Sequence, residues 1–468
     1  MSERLSPVDV SFLYLESPTT AMHVGEVGIF RLPDGVTAGD LYAALRRLVS
    51  ERIALLPRYR QKVRFVPGHI ANPVWVDDEA FDIGYHVRRS ALPRPGTIDQ
   101  LRELVGRVQS RHLDRSRPLW ELYFVEGLED GRCAILTKSH HAMVDGVDVL
   151  DIGSLILDPS PEPRPTAADG WTPQREPSTV SLLVDAVADT IRRPSEVFDT
   201  VRAGVADARA LTQKAFGATA GVLAAARSSL RPAPASPLNA VVGGQRRFGM
   251  AATDLDDYKR VRAAHGGTVN DVVLATVTGA LRIWLLTRGE SVRPSTTVRA
   301  MVPLSVRDDA GATTGSLGSR VTSYFIDLPV GEPSPLVRLH QVSYAMKAHK
   351  ESGRAVGANT MVALSGFAPP TIHSAAARLA SGLTSRLFNV VVTNVPGPQY
   401  PLFAAGAQML ETYPVVPLGR GQAVSIGLTS YDGGVYFGLN GDRDAMPDVD
   451  VLAQCLEESL SELAETVR

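Results

Sequence analysis

Hydrophobic and polar positions along this chain follow two rhythms. A period of two marks strands, and apolar residues recurring three and four apart mark helices. "MHVGEVGIFRL" reads as a strand, while "AGDLYAALRRLVSERI" and "IDQLRELVGRVQSRHL" read as helices. "WELYFVEGL" and "CAILTKSHH" read as neighbouring strands joined by "EDGR", whose Asp-Gly step suits a tight hairpin. From residue 238 onward the same rhythms return. They predict a helix in "NDVVLATVTGALRIWLLTRG", strands in "TTVRAMVPLSV" and "RVTSYFIDLP", and a helix around "LVRLHQVSYAMKAHK". An antiparallel pair follows in "AVSIGLTSYDGGVYFGLNGD", and the terminal helix is "DVDVLAQCLEESLSELAETV".

Between these two bodies the pattern breaks. "LDPSPEPRPTAADGWTPQREPS", residues 157 to 178, is too proline-rich for a regular element. An Ala-rich stretch of helical propensity follows, broken at Pro194 and closed by "RPAPASP". The expected division is an α/β half over 1–158, a helical Pro/Ala-rich linker over 159–237 and a second α/β half over 238–468. A length of 468 residues exceeds one ordinary core, in keeping with that division. A cleft between two such halves is a common place for a substrate.

Composition narrows the function classes. Basic residues number 48 and acidic residues 50, so net charge offers no case for a nucleic-acid partner. The arginine-rich run between residues 46 and 64 reads as a solvated helix face. Cys133 and Cys455 are the only cysteines, which points to a reducing compartment and away from disulfide frameworks and cysteine-rich metal sites. The start "MSERLSPVDVSFLYLESP" lacks the features of a signal peptide, and no run approaches about 18 uninterrupted apolar residues. The expected location is the cytosol or a membrane surface. Helical spacing of Leu183, Val187 and Ile191 would suit an interfacial helix, although packing against the two halves explains it as well.

The sharpest chemical signal is "SHHAMVDG" at the end of the second hairpin strand. On an extended backbone Lys138 and His140 share one face, and Ser139 and His141 the other. Two adjacent histidines therefore divide the work: one faces a cleft, the other packs behind it. Histidine is the natural general base near neutral pH, provided that its tautomer is fixed. Asp145 would either orient that base or pair with an arginine and hold the turn. Gly146 permits the tight approach that a strand-to-helix turn needs. Metal ligation by His140, His141 and Asp145 fits poorly with divergent side chains, and no metal is expected. A nucleophilic Ser139 lacks the Gly-x-Ser-x-Gly turn; the nearest string, "TGSLG", has Thr314 in the first glycine position.

These residues resemble the His-His-x-x-x-Asp-Gly motif of the superfamily that includes chloramphenicol acetyltransferase, carnitine acyltransferases and peptide-synthetase condensation domains. Within it, the chain resembles the bacterial wax ester synthase/diacylglycerol acyltransferase family over nearly its whole length. The matching stretches are "LSPVDVSFLYLES", "AMHVG", "RPLWELYFVEGL", "SPLNAVVGGQRR", "NDVVLA", "MVPLSVR", "TNVPGP" and "VSIGLTSYDGGVYFGL".

The resemblance implies two chloramphenicol acetyltransferase-like α/β halves with mixed sheets and a tunnel between them. Acyl-CoA would enter from one side and a lipid alcohol from the other. His141 would be the general base, with direct attack on the thioester and no cofactor beyond the co-substrate acyl-CoA. By the same resemblance, Asn270 and Asp271 correspond to the family's Asn-Asp pair. "TVND" also forms a capping box with Thr268 as N-cap, which gives Asp271 a structural role and leaves Asn270 open to binding. Trp120, from the Pro-Leu-Trp motif with Pro118 and Leu119, would line the acyl route or pack in the core. His23 is read as structural. Ser319 stands where the family usually has asparagine. A condensation-type enzyme and a non-catalytic lipid-binding member of the fold are the competing readings.

Overall fold

The computed structural model describes residues 3–69, 71–143, 152–166, 170–192, 232–306, 320–352 and 387–467. Its first sheet has seven strands in the order Val87–Ala91, Trp120–Leu128, Arg132–His140, His23–Arg31, Ala407–Val415, Phe403–Ala404 and Leu157–Asp158. Only the first neighbouring pair is parallel. The hairpin Trp120–Leu128/Arg132–His140 closes where Asp130 (φ 60°) and Gly131 (φ 64°) both turn left-handed, the conformation that the Asp-Gly step is built to adopt. Helices Ala38–Arg52 and Ile98–Gln109 start at capping boxes made by Thr37 with Asp40 and Thr97 with Gln100, and they bury leucine and valine stripes. A further helix, Pro7–Leu15, starts at a Ser6/Asp9 box with proline at its first position.

The second sheet has six strands in the order Arg320–Leu328, Val298–Val306, Val390–Pro396, Val424–Tyr431, Gly434–Asp442 and Arg246–Asp254. Val390–Pro396 runs parallel to both its neighbours, so this sheet is also mixed. Its core is organised around helix Val269–Thr287. That helix is long and apolar enough to cross a bilayer by composition, yet Val272, Val273, Leu274, Val277 and Leu281 are each at most 1% exposed against the sheet and the Val449–Glu465 helix. Its apolar surface is consumed by the protein interior.

The halves are stitched at two places. Strand Ala407–Val415 comes from the later part of the chain but pairs with His23–Arg31 in the first sheet. Its Pro414 carbonyl approaches Gly438 so closely that a Cβ there would lie 1.9 Å away. Helix Ile98–Gln109 packs on strand Arg246–Asp254 through Gly106, and the Arg246 amide donates to Ser110 Oγ at 2.8 Å. The Arg246 side chain also donates to the carbonyl of Thr19 in the loop before His23. Among the described parts of the 159–237 stretch, the one regular helix is Thr179–Arg192, and Pro194 lies outside the described residues.

Candidate active site

The strand that carries the motif ends at His140, and His141 opens a short 3-10 turn, His141–Met143. This corrects the expectation that both histidines lie on extended backbone: the chain leaves the strand between them. His140 pairs in register with His23 and is only 1% exposed. Its Nδ1 accepts the backbone N–H of Ala142 at 3.1 Å, so the proton of the neutral ring lies on Nε2. The His141 amide donates to the Met22 carbonyl at 2.8 Å, and the ring, part-buried, stacks on Phe12 at 3.9 Å between centroids and 18° between planes. Burial pushes the His141 imidazole down to about 4; its own backbone carbonyl pulls it up slightly, and the neighbouring His140 pushes it down further. At neutral pH it is an uncharged ring.

Behind the turn lies a group absent from the motif. The Glu16 side chain, 6% exposed, places Oε1 2.9 Å from His112 Nδ1 and 3.6 Å from His23 Nε2. Its Oε2 lies 3.5 Å from His140 Nε2 and accepts from the Arg115 guanidinium. Burial works to raise the Glu16 pKa, but the approach of His140 and the hydrogen bond and charge of Arg115 prevail and hold it far below the usual carboxylate range. His23, 2% exposed and without a hydrogen bond on either ring nitrogen, is driven well below an ordinary histidine by burial and by the charge of Lys138. Lys138 Nζ donates to the carbonyls of Val108, at 2.9 Å, and Arg111.

In the second half, the N-terminus of helix Val269–Thr287 borders a cleft of about 570 Å³. Asn270 and Asn394 both line it, and Asn394 Nδ2 donates to Asn270 Oδ1 at 3.1 Å. Asn270 Nδ2 is buried without a hydrogen-bond partner. Arg262, Thr268 and Ser430 add polar groups among apolar Leu255, Val273 and Leu428. Asp271 is used by structure: its Oδ2 accepts from the Thr268 amide at 2.8 Å and from Ser343 Oγ at 3.2 Å. Trp120 is fully buried, donating Nε1–H to the Tyr59 carbonyl at 2.8 Å and stacking on His86 at 4.6 Å. That places it in the core and away from the lining of this cleft. Asp145, Gly146 and Ser319 lie outside the described residues.

The sequence reading singled out His140, His141 and Asn270 but missed Asn394, although it noticed "TNVPGP", and missed Glu16. No local pattern marks Glu16, because its partners lie 7 to 124 positions along the chain.

Comparison with known proteins decides the family. Residues 5–273 match the wax ester synthase/diacylglycerol acyltransferase catalytic domain, and residues 317–464 match the WS/DGAT C-terminal domain. The chain belongs to this family. It is an acyltransferase. A Mycobacterium tuberculosis H37Rv relative named "Probable diacyglycerol O-acyltransferase tgs2" is 36% identical over 99% of both chains. The same organism's "Probable diacyglycerol O-acyltransferase tgs1" is 33% identical over 98% of this acyltransferase and 95% of the relative. The solved wax ester synthase/diacylglycerol acyltransferase from Marinobacter aquaeolei VT8 superposes with a TM-score of 0.70 at 29% identity, covering 99% of each chain. The first condensation domain of the calcium-dependent antibiotic synthetase gives 0.55 at 15% identity over 100% of this chain and 96% of that one, a likeness of fold alone.

Proposed function

We propose that this acyltransferase moves a long-chain acyl group from acyl-CoA to the hydroxyl of a lipid alcohol, diacylglycerol or a fatty alcohol, with His141 as general base. The observation that carries the reading is the division of labour at the strand end. His140 is locked inward by Ala142 N–H, while His141 leaves the strand, stays part-exposed and is neutral at physiological pH. His141 Nδ1 is buried without a hydrogen-bond partner, and Nε2 is taken as the nitrogen whose lone pair serves as the base. That nitrogen takes the acceptor's hydroxyl proton as the oxygen attacks the thioester carbonyl. The C–S bond then breaks, and the departing CoA thiolate recovers the proton from the imidazolium, leaving ester and free CoA. No acyl-enzyme forms.

Negative charge grows on the carbonyl oxygen during attack, and preorganised donors are the usual answer to it. Asn270 Nδ2, buried without a partner and belonging to a residue on the cleft wall, is assigned that contact or an equivalent one to the acyl carrier. The substrate tunnel is placed between the halves. The site residues are His141, His140 and Asn270, with Asp145 and Gly146 assigned to the turn that supports them. No cofactor beyond the acyl-CoA co-substrate is assigned, and the protein is placed in the cytoplasm with peripheral contact at a membrane or lipid-droplet surface. Helix Thr179–Arg192, which exposes Val180 and Val184, supports that contact.

The test is CoA release from palmitoyl-CoA by the purified protein with diacylglycerol, hexadecanol or a small amine as acceptor, alongside His141→Ala. Release that requires a lipid alcohol and vanishes in the variant is expected. Equal release by both proteins, or preference for the amine, refutes the reading.

A further inference from the structure

We infer that the C-terminal end of helix Pro7–Leu15 is a clamp for the double histidine, and that Glu16 is a positioning residue for His141. This rests on the reading of His141 as the base. One helix end touches both rings. Phe12 covers the face of His141, and Glu16, whose amide donates back to the Phe12 carbonyl at 3.2 Å, presents Oε2 to the edge of His140.

The tautomer gives that contact its consequence. Because His140 Nδ1 accepts from Ala142 N–H, its proton sits on Nε2, the atom facing Glu16. The His140 ring thus stands between a fixed carboxylate that faces its Nε2 at 3.5 Å and the amide of the residue directly after His141, to which it is hydrogen-bonded. Rotation of the ring breaks the Ala142 hydrogen bond and carries Nε2, 3.5 Å from Oε2 and not hydrogen-bonded to it, out of the carboxylate's field. An oriented carboxylate behind an imidazole is an established way to hold a tautomer and a ring angle; here the carboxylate acts through the first histidine on the placement of the second.

The carboxylate is itself immobilised. Arg115 donates to Glu16 and to the Leu13 carbonyl at 3.0 Å, which ties the guanidinium to the helix end. His112 reaches Oε1 through Nδ1 while its Nε2 lies 3.3 Å from the Pro18 carbonyl. A buried carboxylate is expensive unless charge and hydrogen-bonding partners surround it. Four side chains from three separate segments converge on this one: His23, His140, and the pair His112 and Arg115 from a single loop. Ligand atoms of Glu16, His23 and His112 also lie within 4.8 Å of one another, a composition that would suit a divalent cation. Arg115 already compensates the carboxylate, so the charge clasp is the reading adopted.

The experiment compares Glu16→Gln and Glu16→Ala with wild type and His141→Ala, using palmitoyl-CoA and diacylglycerol and, separately, 15N-histidine spectra. Small displacements of a catalytic group lower turnover by about 10- to 100-fold, so kcat of Glu16→Gln should fall by that factor, with KM for acyl-CoA changed by less than about threefold. In wild type, His140, assigned by the loss of its signals in His140→Gln, should carry its proton on Nε2, and the two Glu16 variants should show tautomer exchange. The inference is overturned if Glu16→Gln keeps wild-type kcat while His141→Ala is inactive. A wild-type His140 protonated on Nδ1 overturns it without recourse to any variant. Loss of activity on chelation, restored by Zn2+, would make the cluster a metal site and overturn it too. If His141→Ala keeps full kcat, the base reading itself has failed.

Discussion

The acid limb of the pH–rate profile is the most direct test of the His141 environment. Burial lowers this imidazole to about 4, whereas an unperturbed histidine titrates near 6.5. The base is active when neutral, so activity falls as pH drops through its pKa, and a lowered pKa moves the fall to more acidic pH. At pH 5.5 a group titrating at about 4 remains about 97% neutral, against about 9% for one titrating near 6.5. Relative to pH 7, kcat/KM at pH 5.5 should therefore be nearly unchanged, where an ordinary histidine would leave about a tenth. The assay is CoA release from palmitoyl-CoA with diacylglycerol between pH 4.5 and 8, read with dithiodipyridine, which reports thiols in acid. A parallel sample held at each pH and assayed at pH 7.5 separates titration from unfolding. That control is needed because His23 and His86 are also buried and lowered, by desolvation first. Their folded forms resist protonation, so the stability they contribute is complete above about pH 6.5 and lost as pH falls below it. A reversible limb with its midpoint near 6.5 would refute the argument that burial sets this base.

Four further outcomes follow from the packing. Asn270→Ala should lower kcat/KM by about 100-fold with an unchanged melting temperature; Asp271→Ala should leave turnover per folded molecule alone and lower unfolding free energy in urea by about 1 kcal/mol, the usual loss for a helix cap. Trp120→Ala should destabilise by about 3–5 kcal/mol with acyl-chain preference unaltered; a changed chain-length profile in folded protein would put the ring on the acyl route. Arg52 and Asp158 form a buried ion pair at 2.6 Å, and Arg52 also donates to the Leu155 carbonyl at 3.0 Å. Arg52→Met should cost about 3 kcal/mol by leaving Asp158 with Arg164 alone, and Arg52→Met/Asp158→Leu should recover part of that loss in denaturant melts.

Much of this protein is written in local pattern. The helices Ala38–Arg52, Ile98–Gln109 and Val269–Thr287, the Asp-Gly hairpin ahead of the motif and the second hairpin at Asp432–Gly433 are all legible. Capping, turn chemistry and apolar period act over a few residues, and one stretch of sequence contains all of them. The double histidine and the Asn270–Asp271 pair are legible for the same reason. Two decisive features are not. Strand Ala407–Val415 joins the first sheet beside His23–Arg31, nearly four hundred residues away, because an open sheet edge and a matching apolar face are available there. The second is the setting of the histidines: the chain turns between His140 and His141, and Glu16, His23, His112 and Arg115 converge behind them. Which ring is buried, which proton is fixed and which base stays neutral depend on desolvation and on charges brought together by the fold. Those energies are set by distances in space, and distance in space is the quantity that spacing along the chain does not encode.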